Sequence, residues 1–196
     1  MILYGASGHA KVIIDICKKN KNTITAIIDD NKDITNLLSY KVGQLKNNIL
    51  KTDSCIISIG NNYSRKKVAQ NIQAKYGKAI HPNTTIDPTV KIDEGTVVMA
   101  GSVINATTKI GKHCIVNSSA TIDHDCVIND FVHISPNATV CGGISIDEGT
   151  HIGAGVVIIP NIKIGKWCII GAGAVVTKNI VDGDIVVGNP ARSIKK

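Results

Sequence analysis

The chain has 196 residues, of which 43% are hydrophobic but only 3% aromatic, with one Trp and one Phe. That length allows one large domain or two small ones, and a core so poor in rings must be built from Ile and Val. The formal charge of +7 is spread over scattered Lys and Arg, clustered only at Arg65-Lys66-Lys67 and Lys195-Lys196, with no basic stripe interleaved with aromatics; nucleic acid is therefore not an expected partner, and small anionic ligands or a solvated surface account for the excess.

The chain opens on Ile2-Leu3-Tyr4, which has the pattern of a short buried strand. No basic n-region and apolar h-region precede it, so no signal peptide is expected. Gly5-Ala6-Ser7-Gly8-His9 follows, then a helical pattern through Val12, Ile13, Ile16 and Cys17. Thr23 to Ile28 is a second predicted strand, ending in Asp29-Asp30, and Cys55 to Ile59 a third, followed by Gly60-Asn61-Asn62. A basic helix is predicted from about Ser64 to Tyr76. Strand–turn–helix alternation predicts a parallel α/β unit. The first turn is a candidate phosphate cradle, because glycine lets the backbone approach a ligand and a helix N-terminus attracts anions. It is equally well a plain tight turn. Asp29 falls about 20 residues beyond that loop, where an acid can meet a ribose hydroxyl; the alternative for Asp29-Asp30 is a solvated strand end. The domain boundary is placed at His81-Pro82, giving domains over residues 1–80 and 81–196.

Beyond the boundary the sequence repeats. Steps of six from Ile86 meet Ile92, Val98, Ile104 and so on to Val176, and all sixteen positions are Ile or Val. The fourth residue after each is small or aliphatic, from Val90 and Thr96 to Ile180. Gly follows the Ile at 111, 153, 165 and 171, which predicts left-handed backbone at those corners. A period of six suits neither a helix nor a hairpin. It suits a short strand plus a corner, three to a coil, wound into a triangular prism whose coils stack about 4.8 Å apart. About five coils would bury a continuous aliphatic column, capped by the tail from Asp182 to Lys196. Of six cysteines, Cys114, Cys126 and Cys168 fall on the inward position, and none forms a CxxC pair. They are expected to be reduced, buried hydrophobes of a cytoplasmic protein. No apolar run reaches the roughly 18 residues of a membrane span. Flat prism faces predict packing on copies of the chain, with a three-fold assembly and sites between subunits.

Four histidines lie on the prism. His133 and His151 differ by one coil and should stack. Gly142 falls one coil beyond His124, setting bare backbone beside that ring, and Ala154 and Ala172 form a second smooth pair. His124 stands between Asp123 and Asp125, and an adjacent carboxylate fixes an imidazole tautomer and raises its basicity. The bland alternative is a solvent-facing histidine. No histidines show the His-x4-His spacing of zinc-holding β-helices, so no metal and no permanently bound cofactor is expected.

YGASGHAKVIID, IGNNYSRKK, NSSATIDHDCVI, FVHISPNATVCGG and VVGNPAR, in that order, resemble the bacterial sugar acetyltransferases. These include the sialic acid O-acetyltransferases and the N-acetyltransferases of UDP-bacillosamine and GDP-perosamine synthesis. The resemblance implies a Rossmann-like domain followed by a left-handed parallel β-helix, and an acetyltransferase using acetyl-CoA as co-substrate. It implies that Ser7, Gly8, His9, Asp29, Asp30 and Gly60 hold the nucleotide-linked sugar. His124 matches the general base, and Asp125 its acidic partner, often Glu in the bacillosamine enzymes. His133, Gly142, Ala154 and Ala172 fall where the family contacts acetyl-CoA. The expected reaction is direct transfer to a UDP-linked 4-amino-deoxysugar, with Cys126 and Cys141 as rival nucleophiles. The alternatives are a GDP-perosamine type of N-acetylation, O-acetylation of sialic acid or a related sugar, and a nucleotide-binding trimer without enzymatic activity.

Overall fold

The computed structural model describes residues 1–45 and 53–195; Lys196, the last residue of the predicted cap, lies outside them. The N-terminal part is a five-stranded sheet in the order β3-β4-β2-β1-β5. Its strands are β1 (Ile2–Tyr4), β2 (Ala26–Ile28), β3 (Asn36–Leu37), β4 (Tyr40–Gly43) and β5 (Cys55–Ile57). Leu3 lies opposite Ile27 on one side and Ile56 on the other, both parallel. All three residues of β1 and of β5 are buried, as central parallel strands must be. Helix α1 (Gly8–Lys19) buries Ala10, Ile13, Ile14, Ile16 and Cys17. Its last residues present Asn20, whose Nδ2 donates to the Ile80 carbonyl at 2.7 Å and ties the helix to the second half of the chain.

Three features depart from expectation. The second and third strands are shorter than predicted, and the β3–β4 hairpin, antiparallel at Leu37 and Tyr40, carried no recognised signal. The basic helix, α2, spans Asn62–Asn71 and stops short of Tyr76. The residues beyond its end join the sheet edge instead: Cys55 N–H donates to the Lys75 carbonyl and Gly77 N–H to the Cys55 carbonyl. With only Asn62 and Arg65 buried, α2 has little apolar face to hold further turns.

The repeat forms the expected prism. Every predicted Ile or Val closes a two-residue strand, and pairs such as Thr121–Thr139, Val127–Ser145 and His133–His151 fix the coil at 18 residues. The first face holds the strands ending at 86, 104, 122, 140, 158 and 176, and the second those ending at 92, 110, 128, 146 and 164. The third begins earlier than predicted, with Ala79–Ile80 paired to Val97–Val98. It ends in Ile185–Val187, paired to Ile169–Ile170, and an antiparallel Arg192–Ser193 that closes the tail. The inward positions are filled as expected, Cys114, Cys126 and Cys168 among them. Each of these cysteines donates its N–H to a threonine one coil earlier, Thr96, Thr108 or Thr150.

The corner glycines act differently from the prediction. Left-handed backbone falls three residues after the Ile or Val, for example at Gly143 (φ 69°), His113 (53°) and Trp167 (54°). Gly153 is required for closeness instead: a Cβ there would lie 2.6 Å from Ala172 N on the next coil.

The two halves meet around Arg65, which is 1% exposed. Its Nε donates to the His113 carbonyl at 2.8 Å, and Nη2 to the Phe131 carbonyl at 2.9 Å and to Asn62 Oδ1 at 2.8 Å. Nη1 donates to the carbonyls of Ile59 and Gly60 at 3.0 and 3.1 Å. Asn62 Nδ2 reaches the Gly149 and Thr150 carbonyls. Arg65→Met, which keeps the stem but orphans these carbonyls, is expected to lower stability by about 3 kcal/mol. That corresponds to a fall in Tm of roughly 6–12 °C for a chain of this size. Thermal unfolding followed by circular dichroism checks it; an unchanged Tm would show that the guanidinium is not what joins the halves.

Candidate active site

In the N-terminal sheet the chain leaves β1 to one side through β2 and returns to its other side as β5. The loops after β1 and β5 therefore flank a topological switch point, where open α/β sheets bind ligands. Gly5 (φ 110°) lets those loops touch, since a Cβ there would lie 2.7 Å from Ile59. Ser58 Oγ donates to the Gly5 carbonyl at 2.6 Å. Ser7 is the N-cap of α1 but makes no side-chain cap bond, and Gly8 and Gly60 both face open space. Asp29 turns inward on the chain: Oδ2 accepts from Ala6 N at 2.6 Å and Oδ1 from Asn31 N at 2.9 Å, so it fixes the first loop. Asp30 Oδ1 accepts from the Tyr4 hydroxyl at 2.6 Å.

Gly60 also borders a cleft of about 510 Å³ against the third face of the prism. His133 and His151 lie one above the other there, edge-on, with ring centroids 4.8 Å apart, and Trp167, Tyr63 and Asn61 complete the walls. Burial, with added repulsion from His151 and Arg65, pulls His133 down to about 3. Burial and then Arg65 pull His9 down to about 4. These rings are neutral at physiological pH.

His124 is in a different setting. It stands on the edge between the first and second faces and is exposed. Its Nδ1 lies 2.8 Å from Asp125 Oδ2. Asp125 adopts left-handed backbone (φ 59°) and is itself held by the Thr107 hydroxyl. Asp123 Oδ1 accepts from the His124 N–H at 2.9 Å. The hydrogen bond to Asp125, and then the charge of Asp123, raise the His124 pKa above the ordinary imidazole value. Gly142 is where the coil arithmetic put it: a Cβ would lie 2.7 Å from His124 Cε1 and 2.8 Å from Nε2.

Within one chain, then, Gly60 and His133 share the cleft, with Ser7, Gly8 and His9 at the N-terminus of α1 and Asp29 and Asp30 at the next strand end. His124, Asp125 and Gly142 form a second group on the edge opposite the third face. Ala154 and Ala172 are exposed on the edge that follows the third face. Among the described residues no cluster of three or more His, Cys, Asp or Glu could hold a metal ion, and no helix is long and apolar enough to cross a membrane. Arg65, Asn62, Tyr63 and Trp167 were not singled out in the sequence. Trp167 had a usable signal, since it lies one coil beyond Gly149 and its ring covers that glycine.

Asp125→Asn tests the edge pair cleanly, because Asn tolerates the same left-handed backbone. The His124 pKa is expected to fall toward the ordinary value once the charge is gone, measured by NMR titration of the imidazole. An unmoved pKa would show that Asp125 does not set the ring's basicity.

Comparison with known proteins matches residues 1–72 to the PglD N-terminal domain and residues 143–178 to the bacterial transferase hexapeptide (six repeats). No curated protein matches the chain. Among solved structures, a histidine-to-asparagine mutant of perosamine N-acetyltransferase from Caulobacter crescentus, in complex with CoA and GDP-perosamine, is 33% identical with a TM-score of 0.93, over 100% of this chain and 96% of that one. The acetyltransferase domain of PglB from Neisseria gonorrhoeae, in complex with acetyl coenzyme A, is 32% identical with a TM-score of 0.90, over 98% of each chain. WeeI from Acinetobacter baumannii is 34% identical with a TM-score of 0.91, again over 98% of each. With an α/β region leading into a left-handed β-helix of hexapeptide repeats, the chain belongs to the family of hexapeptide-repeat sugar N-acetyltransferases and is an acetyltransferase.

Proposed function

We propose that the chain transfers the acetyl group of acetyl-CoA to the amino group of a nucleotide-linked 4-amino-deoxysugar, with His124 as general base and the reacting groups held between subunits of a homotrimer. The observation that carries this reading is the placement of the two residue groups. The nucleotide crevice opens beside the third face, whereas the His124–Asp125 pair stands on the opposite edge. A second copy can bring its His124 edge to this chain's crevice. The outward residues of the first face, Thr85, Val103, Thr121, Thr139, Val157 and Val175, carry no charge, which suits packing on a copy. The second face carries Lys91, Lys109 and Lys163 and suits solvent.

In the proposed step the sugar nitrogen attacks the thioester carbonyl carbon. His124 takes a proton from the nitrogen, the carbon–sulfur bond breaks, and the CoA thiolate leaves and takes up a proton. Asp125 steadies the imidazolium; of the backbone N–H groups around Gly142, those of Cys141 and Gly143 donate to the Ile158 and His124 carbonyls, which leaves the Gly142 N–H as the donor to the developing oxyanion. A raised imidazole pKa makes the ring a stronger proton acceptor, which suits a base. The base is deprotonated above its pKa, so kcat/KM rises with pH through that value. Cys126 is 0% exposed and unsuited to attack; Cys141, half-buried beside the site, is the rival nucleophile. The use of acetyl-CoA as donor suits an enzyme of the cytoplasm.

The nucleotide is taken to be UDP. A GDP-linked sugar is the second reading, favoured by the GDP-perosamine bound to the Caulobacter relative. A mass-spectrometric screen of UDP- and GDP-4-amino sugars with acetyl-CoA separates them. Acetylation of free sialic acid, with no product from either nucleotide series, would reject the proposal. His124→Ala is expected to lower kcat by about 10²–10⁴-fold, and Cys141→Ser to leave it within about twofold. A histidine variant with wild-type turnover would remove His124 from the mechanism.

A further inference from the structure

We propose that Thr107 is a positioning residue for the base: its hydroxyl holds Oδ1 of Asp125, so that Oδ2 of the same carboxylate faces His124 Nδ1. The proposal rests on the reading of His124 as the base, but the arrangement it describes is testable without catalysis.

Thr107 and Asp125 occupy the same corner on successive coils, with Thr89 one coil before and Gly143 one coil after. The Thr107 hydroxyl has two acceptors within reach, Asp125 Oδ1 and the Ala106 carbonyl at 2.7 Å. It has one proton, and an ionised carboxylate draws that proton more strongly than a neutral carbonyl. Asp125 Oδ2 is left for His124 Nδ1 at 2.8 Å. Both Thr107 and Asp125 are exposed. Held by His124 alone, the carboxylate would turn between the ring and water; held at both oxygens, it keeps one orientation.

The backbone of Thr107 is an independent observation. At φ 62° it is the one β-branched side chain with positive φ among the described residues. The left-handed conformation is most costly for a side chain of that shape. Glycine fills the equivalent corner at 95, 101, 143, 149, 155 and 173, and would fit here with less strain. The strained corner is pinned by a bond of its own. At other corners the left-handed residue gives its N–H to a main-chain carbonyl one coil back, as Asp125 does to Ala106 and Gly143 to His124. Thr107 N–H instead donates to Thr89 Oγ1 at 2.8 Å, and the Thr89 hydroxyl donates to Asp87 Oδ1 at 2.6 Å. A strained residue kept where glycine fits, with its hydroxyl on the partner of the base, points to function.

The charged groups around the pair are few. Asp125 and Asp123 act on His124, and the Thr107 hydroxyl and then His124 hold the Asp125 carboxyl below its ordinary value. The neighbouring Cys126 thiol is pushed up by burial and is neutral.

Thr107→Val keeps the shape and removes the hydroxyl. The His124 pKa, read by NMR titration of the imidazole, should fall, but by less than in Asp125→Asn, because the carboxylate loses its orientation and keeps its charge. In an Asp125→Asn background the same substitution should add nothing, since Thr107 acts only through that carboxylate. Thr107→Ser should restore the wild-type midpoint. Thr107→Gly should shift His124 as Val does and yet raise Tm by about 2–4 °C, because the strain goes with the hydroxyl. The kcat/KM of the Val variant should fall by about three- to tenfold at high pH, with its rising limb moved to lower pH, as a less basic ring requires. A His124 pKa unmoved or raised in Thr107→Val would overturn the proposal, as would an equal shift in the Asp125→Asn background. A Gly variant with lower Tm and unshifted His124 would mean that Thr107 only packs, and would overturn it too. A shifted His124 with unchanged kcat/KM would uphold the positioning and count against His124 as the base.

Discussion

A guanidinium with no carboxylate partner among the described residues holds the molecule together. Arg65 is a residue type almost never buried alone, yet here all its hydrogen-bonding capacity is spent on carbonyl oxygens and one amide. Burial pulls its pKa down to about 10, which still leaves it charged at neutral pH. The charge must therefore be solvated by the chain itself. Ile59 and Gly60 contribute from the loop after β5, and His113 and Phe131 from two successive coils of the prism. These bonds clamp the Gly60 loop to the β-helix, so the width of the cleft between Gly60 and His133 is set by the reach of one side chain. Around the clamp the prism edge carries an aromatic stack, with His113 parallel to Phe131 at 5.1 Å and Tyr76 edge-on to His113 at 4.4 Å. Lys66 lies over both Phe131 and Trp167 while paired with Glu148.

The same cation organises the site's protonation. Burial is the first cause of the lowered pKa of His9, His113, His133 and His151, and Arg65 adds to it in every case. His124, exposed and between two carboxylates, is moved the opposite way. Five imidazoles thus divide by location. Those near Arg65 are held neutral and are the weaker proton acceptors, and the one on the far edge is the stronger. This division accords with the proposed role of His124 as the base.

How much of this could be read from the sequence depends on where periodicity applies. The 18-residue coil made residue number a spatial coordinate, so the His133–His151 pairing and the His124–Gly142 contact were legible with no structure at hand. The separation of His124 and Gly142 from the cleft was not read from the sequence, because the edge opposite the third face becomes meaningful only once the N-terminal domain is seen to dock on that face. Arg65 was hidden because α2 lies outside the repeat, where a single basic residue in a basic stretch looks solvated. Asp29 had the right spacing for a ribose ligand, but both its oxygens accept main-chain N–H groups, a competition that spacing does not reveal.

The corners of the coil show why glycine and the larger site residues travel together. Stacked coils lie about 4.8 Å apart, and on a flat face side chains of similar size can lie side by side. On an edge the chain bends, and a large side chain turns over the neighbouring coil. It does so most closely where that coil has no side chain at the same place. His113 covers Gly95, Trp167 covers Gly149 and His124 lies over Gly142, in each case at a separation of one coil. A Cβ at Gly95 would lie 2.2 Å from His113 Nδ1, and one at Gly149 2.5 Å from the indole. Because the glycine belongs to a different coil from the ring it accommodates, the pair is invisible to local motifs and plain in the 18-residue register. A ring on a prism edge with glycine one coil away is thus held in a fixed pose by backbone on one side while its other side stays open. That is the arrangement a general base needs, and His124 has it.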